Sequence, residues 1–201
     1  KVRGQTVVDI GCGAAYLLNI LRQKGKEVAG IEPSQGMRDL AHKINPKVPV
    51  VDGMAEEIDK LIKEPVDAVL MIDVLEHIEK DAEQVKKISS VLKVGGEFIF
   101  VVPAYPSLYG KRDKEMGHYK RYSKKELRYI LTSNNFRVVR LRYWNALGFL
   151  PYLVSEKILK KPLSSKLRQN KNRMLNLWFK YIENNFDLDF GLSIIGVAKK
   201  T

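Results

Sequence analysis

The stretch Val7-Val8-Asp9-Ile10-Gly11-Cys12-Gly13-Ala14-Ala15 decides the fold. Its apolar run, Val7–Ile10, reads as a parallel strand covered on both faces. Gly11 and Gly13 lack Cβ, so the backbone can turn sharply and lie close to a ligand. A helix follows from about Tyr16 to Gln23, and its first N–H groups point at whatever sits on the turn. Strand, Gly-x-Gly turn and helix together form a nucleotide-binding βα unit.

The spacing narrows the nucleotide. A dinucleotide fingerprint places a third small residue three positions after the second glycine. Tyr16 stands there, too large for close helix–strand packing. The small residue is Ala15, giving Gly-x-Gly-x-Ala behind the acid Asp9. This resembles motif I of class I S-adenosylmethionine (SAM)-dependent methyltransferases, which usually carry Gly where this chain has Ala15. The resemblance implies SAM as cofactor, with Asp9, Gly11, Cys12 and Gly13 at its turn.

The next segments extend the pattern. Val28–Ile31 is a short strand, and Glu32 at its end lies 21 residues after Gly11. An acid there can accept hydrogen bonds from both ribose hydroxyls; the plainer reading is a helix-cap carboxylate. In the family, Glu32, followed by Pro33, matches the ribose-binding acid. Ser34 caps a helix over about Gln35–Ile44, with His42 on its surface. Val48–Val51 is a third strand. The segment Asp52-Gly53-Met54-Ala55-Glu56-Glu57 resembles the family's adenine loop, with Met54 where an Asp is common. That implies an adenine held by the Met54 side chain and the Ala55 N–H, unless Asp52 reaches round.

Ala68–Ile72 is a strongly apolar strand, and Asp73-Val74-Leu75-Glu76-His77 follows at its C-terminal end, where open α/β sheets bind ligands. This resembles the family's fourth motif. It implies that Asp73 contacts the methionine part of SAM, while His77 either lines the cleft or is a packed histidine. Asp81 and Gln84 read as a capping box for a helix over about Ala82–Leu92. Lys93-Val94-Gly95-Gly96 turns into a strand at Phe98–Val102.

Loop 103–123 is the second centre of interest. Five of the nine tyrosines fall between Tyr105 and Tyr129, and His118-Tyr119-Lys120-Arg121-Tyr122-Ser123 closes the loop. Ser123 and Glu126 form a capping box for a helix over Lys124–Ser133. A subset of the methyltransferases is similar here, with His-x-x-Arg-Tyr-Ser before the same helix. In that reading His118 is a general base or substrate-orienting group, and Tyr105, Tyr119, Arg121 and Tyr122 bind substrate. The alternative is an ordinary helix lead-in carrying surface charge.

Phe136–Trp144 is a sixth strand and Leu192–Ala198 a last one, inserted antiparallel beside it. Residues 145–190 intervene, far more than a hairpin needs. They read as two helical pieces, Pro151–Lys161 and about Asn172–Asn184. The apolar stretch Leu147–Leu159 is read as a helical cap on the sheet, with a membrane-surface helix as the alternative.

The fold expected is therefore α/β: a Rossmann-like, doubly wound seven-stranded sheet, mostly parallel with an antiparallel last strand. One domain over 1–201 carries the helical insert at 145–190. The chain has 201 residues, 45% of them hydrophobic, which suits a single packed core. Cys12 is the lone cysteine, so no internal disulfide forms and a reducing cytoplasm fits. No run is long enough to span a bilayer, and no signal peptide is read. The sequence starts almost on the first strand, so an N-terminal helical cover, usual in this family, is expected to be missing.

Net charge is +12, and its excess is local. Residues 111–128 hold eight Lys/Arg against three Asp/Glu, and 157–173 hold seven against none. Such patches attract phosphate-bearing partners. The reading is methyl transfer to a small-molecule or lipid-linked acceptor, with 145–173 available to an anionic membrane surface. The alternative is an RNA-binding methyltransferase, or a non-catalytic nucleotide-binding module, using the basic patches. Amino methyltransferases acting on bases resemble one another through Asn/Asp-Pro-Pro-Tyr after the fourth strand, which Asp73-Val74-Leu75-Glu76 is not. Cytosine carbon-5 enzymes need a nucleophilic cysteine, and Cys12 belongs to the turn. No His/Cys/Asp cluster has metal-ligand spacing, so no metal is expected.

Overall fold

In a computed structural model the chain is described at residues 2–153 and 177–201. Alternation of strand and helix builds the first half: β1 (Thr6–Ile10), α1 (Tyr16–Gln23), β2 (Glu27–Ile31), α2 (Gln35–Ile44), β3 (Val50–Val51), α3 (Ile58–Leu61), β4 (Val66–Ile72), α4 (Asp81–Val91) and β5 (Leu92–Pro103). The second half is α5 (Lys111–Glu115), α6 (Lys124–Thr132), β6 (Phe136–Trp144), α7 (Ala146–Tyr152) and β7 (Ser193–Lys200). The seven strands form one sheet in the order β3-β2-β1-β4-β5-β7-β6. The first five are parallel, and β7 runs antiparallel between β5 and β6.

Burial explains the continuous apolar runs. Val7, Val8, Ile10 and Ala68–Met71 are buried because helices lie on both faces of the central strands. Phe98 and Phe100 of β5 are fully buried and pack on each other at 4.8 Å. Gly196 of β7 pairs with Phe100, and a Cβ there would lie 2.1 Å from the Phe100 ring. Gly196→Ala is therefore expected to destabilise the fold by about 2 kcal/mol or more. Thermal unfolding should show a Tm lowered by roughly 4–8 °C; an unchanged Tm would mean that the ring has room to move.

The elements differ from the sequence reading in a few places. β3 keeps only Val50 and Val51 of the four residues expected. Asp81 is the first helical residue, not a cap, and no capping box forms around Gln84. Gln84 Nε2 donates instead to the Ala55 carbonyl at 2.7 Å, tying α4 to the Ala55–Glu57 turn. Ser123 does cap α6, accepting from Glu126 N–H, while the Glu126 carboxylate takes Lys120. Loop 103–123 contains the short α5. In the insert, α7 begins before Pro151 and includes it. The returning piece enters as a helical turn that widens at Phe179–Glu183. Buried Glu183 accepts from Ala146 N–H and Trp178 Nε1–H, holding that turn to the start of α7. The remainder of both expected helices, and the basic patch at 157–173, lie outside the described residues.

Because the central strands run the same way, Gly11, Glu32, Asp73 and Ala104 follow the ends of β1, β2, β4 and β5 along one sheet edge. This is the edge on which ligands sit in such sheets.

Candidate active site

The turn after β1 is shaped by left-handed backbone at Gly11 (φ +69°) and Gly13 (φ +53°). A Cβ on Gly11 would meet Val74 at 2.5 Å, so this position needs glycine on both counts. A Cβ on Gly13 would meet nothing within 4 Å: the turn borders open space there. Ala15 also takes a left-handed conformation, at φ 59°, just before α1.

Glu32 latches this turn. One carboxylate oxygen accepts the Gly13 N–H at 2.8 Å and the other the Ser34 N–H at 3.0 Å. Asp9 lies behind it, buried, and its Oδ1 has no hydrogen-bond partner among the described residues. Burial pushes the Asp9 carboxyl up to about 7, with the Glu32 charge adding to the rise. Burial likewise pushes the Cys12 thiol up to about 12, leaving it a packing group rather than a nucleophile. A cavity of about 340 Å³ opens here, walled by Ile10, Gly11, Glu32, Pro33, Met54, Ala55 and Ile78. Met54 stands half-exposed in its wall. Asp52 does not reach round; its carboxylate takes Arg38 at 2.7 Å.

The far side of the edge is built by β4, β5 and the loop after β5. Asp73 is held at φ 53° with its N–H on the Val101 carbonyl, and burial raises its carboxyl above the usual range. A second cavity, of about 280 Å³, is lined by Asp73, His77, Asp113, His118, Arg121 and Tyr152, among others. His77 borders both cavities. The two imidazoles meet edge to face, with centroids 4.7 Å apart.

Loop residues that look alike in sequence separate into different roles. His118 Nδ1 lies 3.1 Å from Asp113 Oδ1, which also takes Arg121 Nε at 2.8 Å. Asp113 Oδ2 accepts the Gly110 N–H, so this buried carboxylate organises the whole turn. Burial pulls the His118 imidazole below its usual value, while its hydrogen bond to Asp113 acts the other way. Arg121 is buried against Asp113 and the Tyr152 hydroxyl, with its cationic group over the Tyr152 ring. Tyr122 is fully buried and donates to the Leu75 carbonyl, so it supports the site from behind and is not exposed to a substrate. Tyr105 stacks on Tyr143 at 5.1 Å. Tyr119 is exposed and borders a separate surface cavity beside His77.

Two residues of this site were not anticipated from sequence. Asp113 reads as one acid in a basic stretch, and nothing local marks it as the partner of His118. Glu76 is the other. It is buried, its Oε2 lacks a partner among the described residues, and burial pushes its carboxyl up to about 8. One ligand-capable atom each from Glu76, His77 and His118 lies within 4.8 Å of the others. The fold thus assembles a cluster that chain spacing does not show.

The chain matches the family model described as a methyltransferase domain over residues 1–141. It belongs to that family. This methyltransferase domain is 34% identical over 105 residues to an uncharacterized methyltransferase of Geobacillus sp. (strain WCH70), covering 51% of this chain and 49% of that protein. It is 30% identical over 103 residues to a ubiquinone biosynthesis O-methyltransferase of Alkalilimnicola ehrlichii, covering 49% of this chain and 42% of that protein. The chain spans about half the length of the curated relatives it matches. Among solved structures, a SAM-dependent methyltransferase from Archaeoglobus fulgidus superposes with a TM-score of 0.63 at 22% identity, over 98% of this chain and 86% of that one. The antiparallel last strand expected from the sequence is present in this chain as β7. Among the described residues, no helix of the methyltransferase domain is long and apolar enough to cross a membrane.

Proposed function

We propose that this methyltransferase domain binds SAM at the turn after β1 and transfers its methyl group to a small-molecule or lipid-linked acceptor. The observation that carries the reading is Glu32. A buried carboxylate latched to the Gly-x-Gly turn stands at the wall of a largely apolar cavity of nucleoside size. The residues present fit the cofactor. Gly13 leaves open space beside the turn, and Asp9 offers an unpartnered buried oxygen. Asp9, Glu32 and Asp73 together suit a ligand with cationic groups.

When bound, SAM supplies a methyl group on a sulfonium, which is already a good leaving group. The chain's own part is alignment and exclusion of water, worth on the order of 10⁵–10⁸ M in effective concentration at best. Glu32 accepts ribose hydroxyls with its remaining lone pairs. Met54 and Ile78 cover the base, and Asp73 meets the methionine end. His118, fixed by Asp113, faces the acceptor cavity with His77, Arg121 and Tyr152 shape its wall, and Tyr105, stacked on Tyr143, is proposed to meet the acceptor from the loop. Residues 1–201 act as one domain with an insert at 145–190, working in the cytoplasm.

The RNA reading is less favoured because about half of the basic side chains in 111–128 already meet partners within the protein. Lys111 lies near Glu115, Lys120 pairs with Asp81 and Glu126, Arg121 with Asp113, and Lys124 sits over the Tyr143 ring. The relative named for ubiquinone biosynthesis supports an oxygen nucleophile on a lipid-linked acceptor. With methyl-labelled SAM and fractionated cell extract, label should enter the lipid or low-mass fraction. Label confined to RNA would overturn the acceptor class.

A further inference from the structure

We propose that Glu76, His77 and His118 form a binding site for a divalent transition-metal cation of the zinc type, on the acceptor side of the sheet edge. The inference rests on the methyltransferase reading for what the cation faces, but not for whether it binds.

The argument begins with the tautomers. His77 Nδ1 lies 3.2 Å from the Gly117 carbonyl, a group that only accepts, so Nδ1 carries the proton. His118 Nδ1 faces Asp113 Oδ1, which already takes Arg121 Nε, so that nitrogen also donates. Both rings therefore keep Nε2 as the lone-pair nitrogen. A backbone carbonyl on one Nδ1–H and a carboxylate on the other is the outer-shell arrangement that orients metal-bound histidines.

Glu76 completes the set. Its carboxylate is buried with Oε2 unpartnered, which is costly unless a proton or a cation meets it. Asp73 is close enough to add its charge to that of Glu76. Arg121 offsets this only in part, because Asp113, which pairs with it, acts on Glu76 in the opposite sense. One ligand-capable atom each of Glu76, His77 and His118 lies within 4.8 Å of the others. Metal–nitrogen bonds of about 2.1 Å place ligand atoms roughly 3.4 Å apart. Side-chain rotations that shorten the separations by on the order of 1 Å close the set.

Two imidazoles and one carboxylate select a first-row cation over magnesium or calcium, which favour all-oxygen shells. Three protein ligands leave coordination positions open, as in catalytic rather than structural sites. His77 is exposed, which gives the ion a path in, and the open side borders the cavity holding Asp73 and Tyr152.

The test is titration of chelator-treated protein with Zn²⁺ by calorimetry, and with Co²⁺ by visible absorption, whose ligand-field bands report nitrogen and oxygen donors. The site predicts one tight equivalent of Zn²⁺. His77→Ala and Glu76→Gln should each weaken it by roughly a hundredfold, while His42→Ala, on α2, leaves it unchanged. Circular dichroism checks that the variants fold; the exposed His77 keeps the test open if Glu76→Gln does not. No tight equivalent, or one insensitive to His77→Ala, overturns the proposal. S-adenosylhomocysteine (SAH) binding to the same samples reports the cofactor reading separately, so either can fail alone.

Discussion

Glu32→Ala is expected to lower SAH affinity at least a hundredfold. The carboxylate is proposed to accept both ribose hydroxyls, and charge-assisted hydrogen bonds contribute about 1.5–3 kcal/mol each. The loss is thus about 3–6 kcal/mol, or two to four powers of ten. The side chain also holds Gly13 and Ser34 N–H, so the turn itself loosens when it is removed. Glu32→Gln keeps one acceptor oxygen but turns an amide toward one of those N–H groups, and should fall between. Calorimetric titration of both variants beside the parent measures this. Affinity within about threefold of the parent in Glu32→Ala would reduce Glu32 to a latch of the turn alone.

His118→Ala carries the second large effect. Turnover on the acceptor should fall by roughly 10²–10⁴-fold, the range for losing a positioned acid–base or orienting imidazole. SAH affinity should hold, because His118 lines the acceptor cavity and not the one around the Gly-x-Gly turn. The Asp113–Arg121 pair survives the substitution, so the loop keeps its buried anchor. Measuring turnover and SAH binding on one preparation separates the two cavities. Unchanged turnover would remove His118 from the reaction.

The cofactor half of the site was legible because it depends on local chain geometry. Gly11 and Gly13 mark a turn whose φ values favour glycine, and Glu32 follows at the end of the adjoining strand. Parallel strands put those residues on one edge without further information. The apolar runs likewise placed most strands to within a few residues, except that β5 begins at Leu92 and takes in the expected Lys93–Gly96 turn, and the last strand's antiparallel place followed from the family resemblance. The acceptor half was less legible because it is assembled by tertiary contact. Glu76 stands within the Asp73–His77 stretch, where the resemblance singles out Asp73 and His77 and gives it no role of its own, while Asp113 is five residues from its histidine within a basic stretch. Their roles come from burial, which sequence composition does not report. Burial also removed Tyr122 from the exposed set, although its neighbours in the chain line cavities. Gln84 shows the same limit for helix starts. The helix starts at Asp81 itself, so no N-cap N–H meets the Gln84 oxygen, and the Gln84 Nε2–H donates to the buried Ala55 carbonyl.

The central claim is that the turn after β1 holds SAM rather than a dinucleotide. Tyr16, standing where a dinucleotide fold needs a small residue, is the local reason. The most direct measurement is calorimetric titration of the protein with SAH and, in parallel, with NAD. The account predicts one SAH per chain at micromolar affinity and no heat of binding with NAD. Saturable binding of NAD, or no binding of SAH, would contradict it.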